Sequence, residues 1–140
     1  MSDERNDNTW MERVLSADTR KMRPVPRAFD PEQLTMVCRG DRELERFVLG
    51  KFLTEAPQYL RAMKQAAEIG DFDELLSRSH AFRDASQVVG AYELARACLR
   101  FEMFHDRLGT EMALDLLTEV TARYEAVASQ ITTFLSGRAA

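Results

Sequence analysis

The sequence predicts an all-α fold, an up-down-up-down four-helix bundle with a short N-terminal capping helix. Three observations point there. From about Phe29 onward, apolar residues recur every three or four positions. No stretch of useful length alternates apolar and polar residues, as a half-buried strand would. Six glycines and four prolines in 140 residues are too few for a turn-rich β-sandwich. Loops of one to four residues separate the long helical segments, and short loops oblige neighbouring helices to run antiparallel.

The elements follow in order. Residues 1–8 are almost all polar and are expected to be frayed or disordered. Trp10, Met11, Val14 and Leu15 predict a short capping helix over 9–17. Its apolar face is narrow, so it must dock or stay marginal. In KMRPVPR (21–27) the alternating prolines forbid a helix and favour an extended strap, with Lys21, Arg23 and Arg27 as solvated cations. The domain boundary falls there. Residues 1–28 form a polar segment with the capping helix and Pro-containing linker, and residues 29–140 form the bundle.

Asp30-Pro31-Glu32-Gln33 starts a short helix, with a capping Asp, Pro at the first helical position and Gln three residues after the cap. It runs to about Cys38 and stops at Gly40. Asp41 caps a long helix whose stripe is Leu44, Phe47, Val48, Phe52, Leu53, Ala56, Tyr59, Leu60, Met63 and Ala67, with a kink expected at Pro57. Gly70 ends it. Asp71 caps a helix carrying Phe72, Leu75, Leu76, Phe82, Ala85, Val88 and Val89. Gly90 marks a bend or a close approach. The pattern resumes with Leu94, Cys98, Leu99, Phe101 and Phe104. After Gly109, Thr110 is expected to cap the last helix, from Ala113 to Leu135.

Composition excludes whole classes. The apolar fraction is 45% and the charged fraction 30%, as in a globular soluble chain. Nineteen basic and 23 acidic residues give a net charge of −4, which argues against a general nucleic-acid binder. Cys38 and Cys98 are too few for a four-cysteine zinc site or a disulfide-rich scaffold, and both are expected to be buried packing residues rather than a redox pair. No run of 18 apolar residues is present, and the polar N-terminus has no signal-peptide core, so a cytoplasmic protein is expected, away from membranes. Gly-rich phosphate loops, serine nucleophile elbows and kinase nucleotide motifs are absent.

Chemistry narrows to His80. At 100° per residue from Phe72, the apolar stripe Phe72, Leu75, Ser79, Phe82, Ser86 and Val89 spans roughly 260–360°. His80 lies at about 80°, some 120–130° from the middle of that stripe, on the solvent face. Asp73, Leu76, Ser77, Arg83, Asp84 and Gln87 share that face, and Arg83 and Asp84 are within side-chain reach of the ring. His105, with Glu102 three residues before it, matches half of a di-iron pair. The second pair is missing because Ser77 precedes His80, so no metal is expected and His105 reads as a helix-end surface residue.

The run His80-Ala81-Phe82-Arg83-Asp84-Ala85-Ser86-Gln87-Val88-Val89-Gly90 resembles the histidine-containing phosphotransfer (HPt) domain of bacterial phosphorelays. That pattern has an exposed His, an apolar residue at +2, a basic one at +3, Gly at +4, small residues at +5 and +6, and Gly at +10. Phe82, Arg83, Ala85, Ser86 and Gly90 match it. Upstream, Phe52 to Pro57 and the Gly70-Asp71 turn fit as well, as does the helix from Leu94 to Glu102 downstream. The likeness covers roughly residues 30–135.

The resemblance implies a phosphate carrier without its own nucleotide site. His80 accepts a phosphoryl group from a receiver-domain aspartate, Arg83 offsets its charge, and a second receiver takes it. Leu76, Ser77, Asp84 and Gln87 then form the docking surface. The implied partners are the receiver of a hybrid histidine kinase and that of a response regulator. The implied chain is a monomer without a cofactor, the magnesium sitting on the receiver. Asp84 departs from the pattern, standing where the family has Gly. A carboxylate there accepts a hydrogen bond from the ring, repels an incoming phosphoryl group and adds bulk where a partner must approach. That departure motivates an alternative, a phosphorylation-incompetent adaptor that binds receivers or a kinase.

Overall fold

The computed structural model describes residues 27–139. The helix expected over 9–17 and most of the proline strap lie outside the described residues. The elements are α1 (Pro31–Cys38), α2 (Arg42–Ile69), α3 (Phe72–Val88), α4 (Tyr92–Met103), a 3₁₀ turn (His105–Arg107) and α5 (Thr110–Ala139). No strand occurs among the described residues.

The starts of the first three helices follow the local chemistry. The carboxylates of Asp30, Asp41 and Asp71 accept hydrogen bonds from the backbone N–H groups of Glu32, Leu44 and Glu74 at 3.0, 3.1 and 3.1 Å. Each satisfies a donor that the first turn leaves without an intrahelical partner. α2 continues through Pro57 as one helix.

Each long helix packs on its sequence neighbours, and α5 also packs on α2, which closes the four-helix ring. The fold is the up-down-up-down bundle that the helical period predicts. α1 lies across α2 and α3. Its start is pinned at the α3–α4 turn, where the Asp30 N–H donates to the Gly90 carbonyl at 3.0 Å. Gly90 has φ +82°, and a Cβ there would sit 2.6 Å from the Asp30 carbonyl oxygen. Only glycine fits both the backbone and the space. Ahead of α1, the Ala28 N–H donates to Gln130 Oε1 at 2.8 Å, and buried Phe29 meets Phe134 edge-on at 5.3 Å. These two residues tie the described end of the strap to α5.

The middle of the core is aromatic. Phe82 is fully buried and stacks on Tyr59 at 5.3 Å, with Phe52 at 6.1 Å and Tyr124 at 6.3 Å. Two helices, α2 and α5, thereby grip one ring of α3 and set that helix's rotation.

The structure departs from the sequence reading in α2, at Val88, which is 42% exposed, and at the start of α5 with the link before it. Leu44 and Phe47 are exposed, at 42% and 65%, and the buried position in that turn is Glu45. The core register of α2 is Glu45, Leu49, Phe52, Ala56 and Met63, which puts Phe47 on the far side. Glu45 is tolerated because the Arg138 guanidinium reaches it at 2.6 Å while lying over the Phe134 ring. Thr110 is the first residue of α5 rather than its cap, and its hydroxyl donates to the Ala67 carbonyl at the end of α2. The link from α4 to α5 takes residues 104–109 and contains the 3₁₀ turn, longer than the expected loop. Among the described residues, no helix is long and apolar enough to cross a membrane.

Candidate functional site

His80 faces out because its neighbours on α3 face in. Ser79 is fully buried and donates its hydroxyl to the Cys98 carbonyl of α4 at 2.8 Å. Phe82 anchors the core side and Ser86 is buried a turn later. Small hydroxyl side chains at 79 and 86 let α3 and α4 approach without leaving polar groups unpaired. The imidazole that results is 54% exposed.

Three charged side chains surround it. Glu102 Oε2 lies 3.0 Å from Nδ1, and Asp84 Oδ2 lies 3.4 Å from Nε2. Arg83 Nη2 also lies 3.0 Å from Nδ1, and Arg83 Nη1 lies 3.4 Å from Glu102 Oε1. The two contacts at Nδ1 exclude each other as hydrogen bonds, since one needs a proton there and the other a lone pair. The carboxylate contact governs. Its charge favours an N–H donor, and Arg83 reaches the same carboxylate directly. Nδ1–H therefore donates to Glu102, and the neutral ring carries its lone pair on Nε2, the nitrogen beside Asp84. A protonated ring would bridge both carboxylates and have no lone pair to attack with.

Of the residues that the sequence places on this face, Arg83 and Asp84 join His80. Arg83 is mostly covered, with 21% of its side chain exposed, and its Nε is buried without a hydrogen-bond partner. Ser77 is exposed and Leu76 half-buried against the core, about one turn before the ring. Gln87 stands further along, beside Arg83, in a shallow groove of about 340 Å³ completed by Tyr92, Ala95, Arg96 and Leu99.

Glu102 is the residue that sequence reasoning missed. It drew notice as a neighbour of His105 and as the end of the helix from Leu94, with no role at the site, yet it holds both His80 and Arg83. One signal was available. His80 lies ten residues before Gly90 and Glu102 twelve after it, nearly equal arms of an antiparallel pair. His105 itself is exposed and bonds through Nδ1 to the Glu102 carbonyl at 3.0 Å, at the end of α4.

The two thiols are free and buried. Burial pushes the Cys98 thiol up to about 12. Burial, together with the Glu45 and Asp41 carboxylates, also raises Cys38. Both are held as neutral packing groups rather than reactive thiolates.

Comparison with known proteins agrees with this geometry. A family model for the Hpt domain matches residues 48–130, more than half of the chain, with His80, Arg83, Asp84 and Glu102 inside the match. Among solved structures, the fold is similar to the crystal structure of histidine-containing phosphotransfer protein B (HptB) from Pseudomonas aeruginosa PAO1. The TM-score is 0.69 at 22% identity, over 78% of this chain and 95% of that one. No curated protein matches. Helical bundle, exposed imidazole and family match converge, and the chain belongs to the Hpt family of phosphotransfer domains that serve phosphorelays.

Proposed function

We propose that His80 is the phospho-acceptor of a relay intermediate, charged by the receiver aspartate of a hybrid histidine kinase and discharged to the receiver of a response regulator. The Nε2 lone pair attacks the phosphorus of the aspartyl phosphate. The N–P bond forms, the P–O bond to the aspartate breaks, and the receiver regains a free carboxylate. Glu102 keeps the proton on Nδ1 throughout, and Arg83 offsets charge on the phosphoryl oxygens. Leu76, Ser77, Asp84 and Gln87 meet the docked receiver. The magnesium that phosphoryl transfer uses is expected on the receiver, and this chain, a cytoplasmic monomer, carries phosphate rather than drawing it from a nucleotide.

The observation that supports this reading is the exposed ring whose Nδ1 is tied to Glu102, leaving Nε2 as the nucleophile. The test is incubation with a receiver domain carrying radiolabelled phosphate. Label that survives base but not acid, present on the wild type and absent from His80→Gln, supports the reading. Undiminished label on His80→Gln overturns it.

A second reading is favoured by Asp84, whose carboxylate stands at the reactive nitrogen. In that reading the chain is an adaptor that binds receivers or a kinase without accepting phosphate. Transfer that appears only in Asp84→Gly, with receiver binding in both chains, would establish it.

A further inference from the structure

A phosphoryl group arriving on Nε2 enters surroundings that already hold more negative than positive charge. Two carboxylates, Asp84 and Glu102, and one guanidinium, Arg83, lie within 3.4 Å of the ring or of each other. Arg83 is already paired with Glu102 through Nη1, and its Nη2 lies on the Nδ1 side of the ring rather than beside Asp84. The group arriving carries between one and two further negative charges. Asp84 is the carboxylate on the reactive side, 3.4 Å from Nε2, and no Lys or Arg pairs with it among the ion pairs of the described residues.

We propose that Asp84 sets the direction of transfer. It raises the free energy of phospho-His80 relative to the bare imidazole, so the chain holds the group weakly and yields it to a receiver aspartate. This rests on the phosphotransfer reading and adds a direction to it. Two effects act with the same sign. Asp84 repels the phosphoryl oxygens in the charged form of the protein, and it accepts a hydrogen bond from a protonated ring in the uncharged form. Asp84 is 60% exposed, so water and salt screen the repulsion strongly. At that screening, a dianion beside one carboxylate shifts an equilibrium by about tenfold.

Crowding is separable from charge. The Asp84 side chain slows approach to Nε2 in both directions alike, because forward and reverse transfer share one transition state. Bulk is the same in Asp84 and Asp84→Asn, so a difference in equilibrium between those two chains reads charge. Charge alters the equilibrium.

The experiment uses the full chain and a receiver domain charged with acetyl phosphate and then freed of it. The ratio of phospho-His80 to phospho-receiver is read after transfer has levelled off, for wild type, Asp84→Asn and Asp84→Gly. Asn keeps the bulk and removes the charge. The expected result is a ratio about tenfold higher in both variants than in wild type, with the gap narrowing at high salt. Ratios within twofold of one another in all three chains overturn the proposal, whatever the rates do. A different result, no label on any of the three, overturns the phosphotransfer reading itself.

Discussion

Glu102→Ala removes one side chain from the second helix of the site and tests how His80 is held. The deletion takes away the acceptor 3.0 Å from Nδ1 and the carboxylate 3.4 Å from Arg83. A hydrogen bond to a charged group contributes about 1.5–3 kcal/mol when shielded from water. Glu102 is 34% exposed, which reduces that to about 1 kcal/mol. A barrier change of 1.36 kcal/mol is tenfold in rate, so the expected loss is about fivefold. The cause is the tautomer. Without Glu102 the proton is free to sit on Nε2, where it blocks the lone pair. Glu102→Gln keeps an acceptor oxygen and is expected to stay within about twofold of wild type. The assay is the initial rate of label transfer from a charged receiver domain, paired with ring-nitrogen NMR on the unphosphorylated chain. A rate for Glu102→Ala equal to wild type, with the proton still on Nδ1, would refute the positioning role.

Three further outcomes follow from the packing. Gly90→Ala is expected to destabilise the chain more than Gly70→Ala does in urea unfolding. Both have φ near +80°, but only at Gly90 does a Cβ meet another residue, the Asp30 carbonyl oxygen at 2.6 Å. Strain at Gly70 alone should be about 1 kcal/mol, and equal losses at the two positions would contradict the Asp30 contact. Arg138→Ala is expected to lose about 2–4 kcal/mol by leaving the Glu45 carboxylate buried and unpaired, and Arg138→Ala together with Glu45→Gln should recover part of it, read by the same unfolding midpoint. Cys98 governs an alkaline slope. Burial raises its folded thiol from the ordinary value of 9.0 to about 12, so the unfolded state gives up its proton first as pH rises. That stabilisation is present below about pH 9 and is lost toward pH 12, with a slope of at most about 1.4 kcal/mol per pH unit. Unfolding titrations should show the slope in wild type and a shallower one in Cys98→Ala.

Much of this molecule can be read from its residues in order. Aspartates before apolar runs mark three helix starts because capping is a contact across two or three residues. The outward face of His80 follows from the period of α3 alone. Contacts between helices are a different matter. Glu102 reaches His80 only through the register of α3 against α4, which Gly90 and the Ser79 hydroxyl bond set in space rather than along the chain. Glu45 reads as a surface carboxylate until Arg138, at the far end of the sequence, arrives beside it. Leu44 and Phe47 fit a helical stripe by spacing, yet two faces of α2 satisfy that spacing there. Packing chooses the one that buries Glu45 and Leu49. Thr110 has the chemistry of a cap, but the nearby end of α2 offers its hydroxyl an acceptor that no local pattern reveals.

The most direct measurement is nitrogen and phosphorus NMR of the full chain after a charged receiver has acted on it, with the imidazoles labelled. The account predicts a single N–P bond, at Nε2 of His80, with the proton retained on Nδ1. A phosphoryl group on Nδ1, on His105 or on a carboxylate would contradict it.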